Sequence, residues 1–119
     1  MNWDASLEEF CEQQNCSEHQ IMRANGNPVS RREAVVMQKR QKEAKTAMNA
    51  VRRAIEEDPT RSREDARKRA CSFIITGSLI LSLFVQALLS TFMKRAIEWF
   101  LDKYYNKETP NGALSISAE

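Results

Sequence analysis

The chain has 119 residues, room for one domain or for a few helices around a membrane span, and carries three glycines, three cysteines and one histidine. So few glycines leave no Gly-rich loop to cradle a phosphate. One histidine with no Gly-x-Ser-x-Gly turn and no His-Glu-x-x-His gives no nucleophilic triad and no zinc-hydrolase motif, so neither a catalytic residue nor a cofactor is expected. The net charge of +2 conceals unlike regions: residues 1–30 set five carboxylates against Arg23, whereas residues 31–69 set thirteen Lys/Arg against seven Asp/Glu.

The acidic region 1–29 reads as two short helices. Ser6-Leu7-Glu8-Glu9 has the form of a capping box, opening a helix to about Gln14 with Leu7, Phe10 and Cys11 on one face. Ser17 caps a second helix to about Ala24, with Asn25-Gly26 as a left-handed stop. Cys11, Cys16 and His19 form a C-x4-C-x2-H cluster, but a structural zinc site needs a fourth ligand and paired short spacings, so no metal is expected. On the cytoplasmic side of a membrane the thiols stay reduced; on the opposite side a Cys11–Cys16 disulfide is conceivable.

Residues 30–58 read as one long charged amphipathic helix, opened by Ser30-Arg31-Arg32-Glu33. Ala34, Met37, Gln41, Ala44, Met48, Val51 and Ile55 fall at alternating spacings of three and four, a thin heptad seam suited to packing on a partner helix. Asp58-Pro59 interrupts. Asp58, or alternatively Ser62, restarts a helix, and no breaker follows until Asn106.

The region 59–107 therefore reads as a single rod, and its segment 70–93 contains no charged residue. Those 24 residues make about 36 Å of helix, against a hydrocarbon core of roughly 30 Å. Twelve of them are Leu, Ile, Val or Phe, and the rest of the chain holds thirteen such residues, too few to wrap an all-apolar helix in a soluble core. The expected fold is thus all-α, with a single transmembrane helix preceded by short helices and the long charged one. Residues 108–119 read as a flexible tail. Met1 to Arg23 has no apolar core, so the span itself is the expected insertion signal. The excess of Lys/Arg before the span directs the N-terminus to the cytoplasm, or to a matrix or stroma.

Within the span, Ser78, Ser82, Gln86 and Ser90 recur every four residues and form a face for docking another membrane helix. Arg67, Lys68, Arg69, Lys94, Arg95, Trp99 and Tyr104 read as membrane-interface anchors, touching lipid headgroups. Cys71, just after the basic cluster, has the position of an acylated cysteine in eukaryotic cells, but a buried, inert thiol is the favoured reading.

The expected function is a non-catalytic single-pass subunit that helps to assemble a larger membrane complex. Hetero-assembly with other membrane-protein helices is favoured over homo-oligomers. A self-associating, holin-like pore is the second reading and a membrane-tethered DNA-binding regulator the third. Glu33, Glu43, Glu56 and Glu57 interrupt the basic face and disfavour nucleic acid.

Overall fold

The computed structural model describes residues 1–77 and 89–108. They form five α-helices and no strand: α1 (Trp3–Gln13), α2 (Glu18–Asn25), α3 (Arg31–Glu57), α4 (Arg63–Gly77) and α5 (Thr91–Glu108), with a 3-10 turn at Pro28–Ser30 before α3. The all-helical class expected from the sequence is observed. Among the described residues, however, no helix is long and apolar enough to cross a membrane.

Within the expected rod over 59–107, the described residues form two separate helices rather than one. The second start was the correct one: Ser62 Oγ accepts from the Asp65 N–H at 3.1 Å, and α4 begins at Arg63. Asp58 folds back on itself, accepting from the Thr60 N–H and hydroxyl at 3.0 and 2.6 Å. At the other end Ser90 Oγ accepts from the Met93 N–H at 3.1 Å and opens α5, which no start signal had been assigned to.

The two helices run antiparallel. Arg63 Nη2 lies 2.7 Å from Glu98 Oε1 and 2.6 Å from Asp102 Oδ1, and Arg67 Nε lies 2.5 Å from Glu98 Oε2. A continuous crossing through 70–93 would set these partners on opposite sides of a bilayer. The described residues hold them in contact.

The long helix α3 is the backbone of the bundle. It is antiparallel to α4, since Glu57 pairs with Arg69 at 2.8 Å while Arg53, a turn earlier, covers Phe73. Phe73 sits between two guanidinium groups, Arg53 at 4.0 Å and Arg69 at 4.4 Å. Alanines make these close approaches possible. Ala44, Ala47 and Ala54 on α3, Ala66 and Ala70 on α4, and Ala96 on α5 are all fully buried. Small side chains at a helix contact shorten the interaxial distance and let the neighbouring Val51, Ile97, Phe100 and Leu101 interdigitate.

Helix α1 lies antiparallel to α5 and closes the remaining side. Trp3 stacks on Tyr104 at 6.2 Å, Phe10 meets Trp99 at 5.2 Å, and Lys103 Nζ reaches Glu9 Oε1 at 3.0 Å. Its N-cap is Asn2, whose side chain accepts from the Ala5 N–H at 3.1 Å, rather than Ser6, so the helix starts a turn earlier than expected. Its end is a Schellman motif: Asn15 takes φ 58°, its N–H bonds to the Glu12 carbonyl, and the Cys16 N–H bonds to the Cys11 carbonyl at 2.8 Å.

Helix α2 starts as expected at the Ser17 cap, with Gln20 Oε1 accepting from both the Ser17 N–H (2.9 Å) and its hydroxyl (2.7 Å). Gly26 closes it with φ −72°, so the expected left-handed stop at Asn25-Gly26 is not used. The chain passes directly into the 3-10 turn, and Ser30 makes no side-chain cap bond to α3.

Candidate docking face

The first half of α3 is where the bundle leaves apolar and basic groups together on its surface. Ala34 and Ala44 point into the core, with Met37 packed against it, and the opposite face is left to solvent. There Val35 is 62% exposed and Val36 48% exposed, and Met22 on the neighbouring α2 is 64% exposed. Isolated exposed apolar side chains are ordinary, but two consecutive valines on a helix face inside a basic run are not explained by packing.

Two shallow cavities flank these valines. One of about 560 Å³ is lined by Val35, Gln38, Lys39, Gln41 and Lys42. The other, about 370 Å³, is lined by Asn15, Arg32, Glu33, Val36, Met37 and Arg40. Arg40 reaches from this second cavity over the Phe92 ring, 5.8 Å from its centroid, and so ties the face to the start of α5. Exposed Lys94 and Arg95 follow on α5, with Arg95 Nη1 3.4 Å from Gln14 Oε1. The end of the bundle at which α4 finishes and α5 begins is thus bordered by cations from two helices. Nothing in the arrangement resembles a nucleophile aligned with a base, and the chemistry it offers is attraction of anionic and apolar groups.

Comparison with protein families, with characterised proteins and with solved structures finds no match to the chain.

The residues singled out from sequence are redistributed. Ser78, Ser82 and Gln86 lie outside the described residues; Ser90, the fourth member of that stripe, is the N-cap of α5. The seam on α3 is occupied within the chain itself. Ala34, Ala44, Met48, Val51 and Ile55 are buried, and Met37 packs against the core. Gln41 Nε2 donates to Glu18 Oε1 of α2 at 3.3 Å. The partner helices expected for the seam are α1, α2, α4 and α5 of the same molecule.

The interface anchors have internal partners as well. Arg67 pairs with Glu98 and Glu64, and Arg69 with Glu57, which leaves Lys68 exposed. Trp99 packs between Phe10 and Phe100, with Lys103 5.1 Å above its ring, and Tyr104 stacks on Trp3. These pairings shift the carboxylates: Arg69 and Arg61 hold Glu57 down to about 2, and Arg67 and Arg63 lower Glu98. Cys11 and Cys16 converge, while His19 Nδ1 turns to the Ser17 hydroxyl at 3.2 Å.

Sequence reasoning passed over Val35, Val36 and Arg40, because attention to the buried stripe of a helix ignores the opposite face. It also passed over a legible signal for the α4–α5 pairing. Arg63 and Arg67, four residues apart, complement Glu98 and Asp102, likewise four apart.

Proposed function

We propose that the chain is a non-catalytic, membrane-associated helical subunit, attached through the apolar run between α4 and α5 and presenting the α3 face to a larger membrane assembly. The observation that carries this reading is that antiparallel α4 and α5 bring both ends of an uncharged, apolar run to the end of the bundle bordered by Arg40 of α3 and by Lys94 and Arg95 of α5. In the run, Leu79, Ile80, Leu81, Leu83, Phe84, Val85 and Leu88 supply the apolar side chains. At about −0.3 to −0.6 kcal/mol each they contribute roughly −2 to −4 kcal/mol of insertion energy. Cations at an anionic surface add about 1 kcal/mol each.

The attachment differs from the single crossing expected from sequence. Eleven residues, 78–88, separate the described ends. Even fully extended, at about 3.3–3.6 Å per residue, they reach out and back no further than about 20 Å. That is less than the roughly 30 Å of a hydrocarbon core. With α4 and α5 paired, both helices are therefore placed on the same side of the membrane.

The test is flotation of the full chain with vesicles of neutral and of anionic lipid, beside Leu83→Asp and Phe84→Asp. Binding to anionic vesicles that both substitutions abolish is expected, with single cysteines at Asp4 and Asn106 labelled from the same side. Labelling from opposite sides would restore the single crossing, and absence of flotation would remove the membrane from the reading.

A further inference from the structure

The turn after α1 assembles a pair of thiols. In a Schellman motif the third residue from the helix end and the second residue beyond its cap are brought together by a 6→1 backbone bond, and their side chains commonly make an apolar contact. Here those two positions are Cys11 and Cys16, joined by the 2.8 Å bond from the Cys16 N–H to the Cys11 carbonyl. Asn15 makes the reversal possible by adopting the left-handed conformation, which Asn tolerates better than most residues. Its side chain is held in turn by Gln20 Nε2, at 3.3 Å.

Any two small apolar residues would satisfy the contact. Two cysteines do more, because thiols brought together at these two positions can be joined by a disulfide. The neighbouring Cys16 and burial push the Cys11 thiol up, whereas the neighbouring Cys11 lowers Cys16. Both side chains are almost fully buried, Cys16 completely and Cys11 at 3% exposed. Cys11 nevertheless lines a surface cavity of about 360 Å³, with Leu7, Glu8, Gln41 and Lys45 among its walls. A small reagent can therefore approach Cys11 from outside, and Cys16 lies behind it. The third cysteine, Cys71, is on α4 and belongs to no such pair.

We propose that Cys11 and Cys16 form a redox-active dithiol, which closes to an intrachain disulfide by exchange with a small external disulfide such as that of glutathione. Cys11 Sγ attacks one sulfur of the external disulfide, and the first glutathione departs carrying the Cys11 proton. Cys16 Sγ then attacks Cys11 Sγ, breaking the mixed disulfide and releasing the second thiolate. Two protein S–H bonds and one external S–S bond are lost; one protein S–S bond and two glutathione S–H bonds are made. Two electrons pass from the protein to glutathione, and the protons end on the departing thiolates. The order of attack follows from access. Disulfide geometry requires the two Cα atoms to come within about 7 Å without backbone movement, and the 6→1 bond supplies that approach in advance.

The experiment equilibrates the folded chain in glutathione buffers of graded ratio, quenches with acid, alkylates free thiols and reads intact mass and peptide map. Oxidation should remove two of the three alkylation sites together. The mass should fall by two hydrogens, with a single Cys11–Cys16 link and Cys71 still alkylated. The midpoint should lie at a ratio about tenfold more reducing than for the same chain in denaturant, which for two electrons is about 30 mV. Cys16→Ala keeps a small apolar residue in the turn and should stop the reaction at a Cys11–glutathione adduct. A native midpoint equal to that in denaturant, persistent glutathione on the wild-type pair, or oxidation beginning at Cys71 would each overturn the proposal.

Discussion

Replacing Phe10 with alanine removes the side chain on which the docking of α1 depends, and its cost can be worked from the packing. Phe10 is fully buried, with the rings of Trp99, Phe92 and Phe100 tilted against it at 5.2, 5.6 and 5.7 Å. A Phe→Ala change in a core costs about 3–5 kcal/mol through lost transfer energy and the cavity left behind. The three surrounding rings are themselves anchored in α5, so the site has little freedom to collapse, and about 4 kcal/mol is the expected loss. A domain of this size changes its Tm by roughly 4 °C per kcal/mol, so Phe10→Ala should melt about 15 °C below the wild type. The assay is thermal unfolding followed by far-UV circular dichroism and by fluorescence of Trp3 and Trp99, which both lie at the α1–α5 contact. Met22→Ala, at a side chain 64% exposed, is the control and should stay within about 0.5 kcal/mol of the wild type. If Phe10→Ala lost no more than the control, α1 would not be docked against α5, and the packing of Trp99 against Phe10 would be wrong.

Acid should weaken the bundle through its carboxylates. Glu57, Glu98 and Asp58 are held below the ordinary carboxylate range when folded, by Arg69 and Arg61, by Arg67 and Arg63, and by the Thr60 hydrogen bonds respectively. A lowered folded value means stability that is present above pH ~4.5. That stability should disappear as the pH falls towards 2, the value for Glu57. Urea midpoints measured across this interval should decline, and Glu98→Gln should flatten part of the slope; a flat wild-type profile would contradict the α4–α5 pairing. Ser90→Ala should cost about 1 kcal/mol by leaving the Met93 N–H without its cap, read by urea unfolding, whereas a residue inside one continuous helix would gain from alanine. Asn15→Ala should cost about 1–2 kcal/mol for a left-handed residue with a Cβ, and Asn15→Gly should stay close to the wild type in the same assay.

Local signals carried much of the fold. Ser17, Ser62 and the run from Arg31 to Glu57 announced their elements because capping and helix periodicity are set by residues three and four apart. Val35 and Val36 were equally visible, but an exposed pair acquires meaning only once the buried side of its helix is known. The face of α3 built from Ala34, Ala44, Met48, Val51 and Ile55 was likewise readable as a packing stripe.

What the sequence by itself determined is that the chain is helical, where α2 and α3 begin, which stripe of the long helix is buried, and that one run of 24 residues carries no charge. Tertiary structure alone decided where the buried stripes find their partners. An apolar helix is equally well solvated by lipid and by alanine-lined neighbours, and counting only Leu, Ile, Val and Phe overlooked nine alanines buried among the described residues. Arg63 and Asp102 are 39 residues apart in sequence and in contact in the fold, so the choice between a continuous rod and a returning pair of helices rested on long-range pairing that local periodicity does not encode.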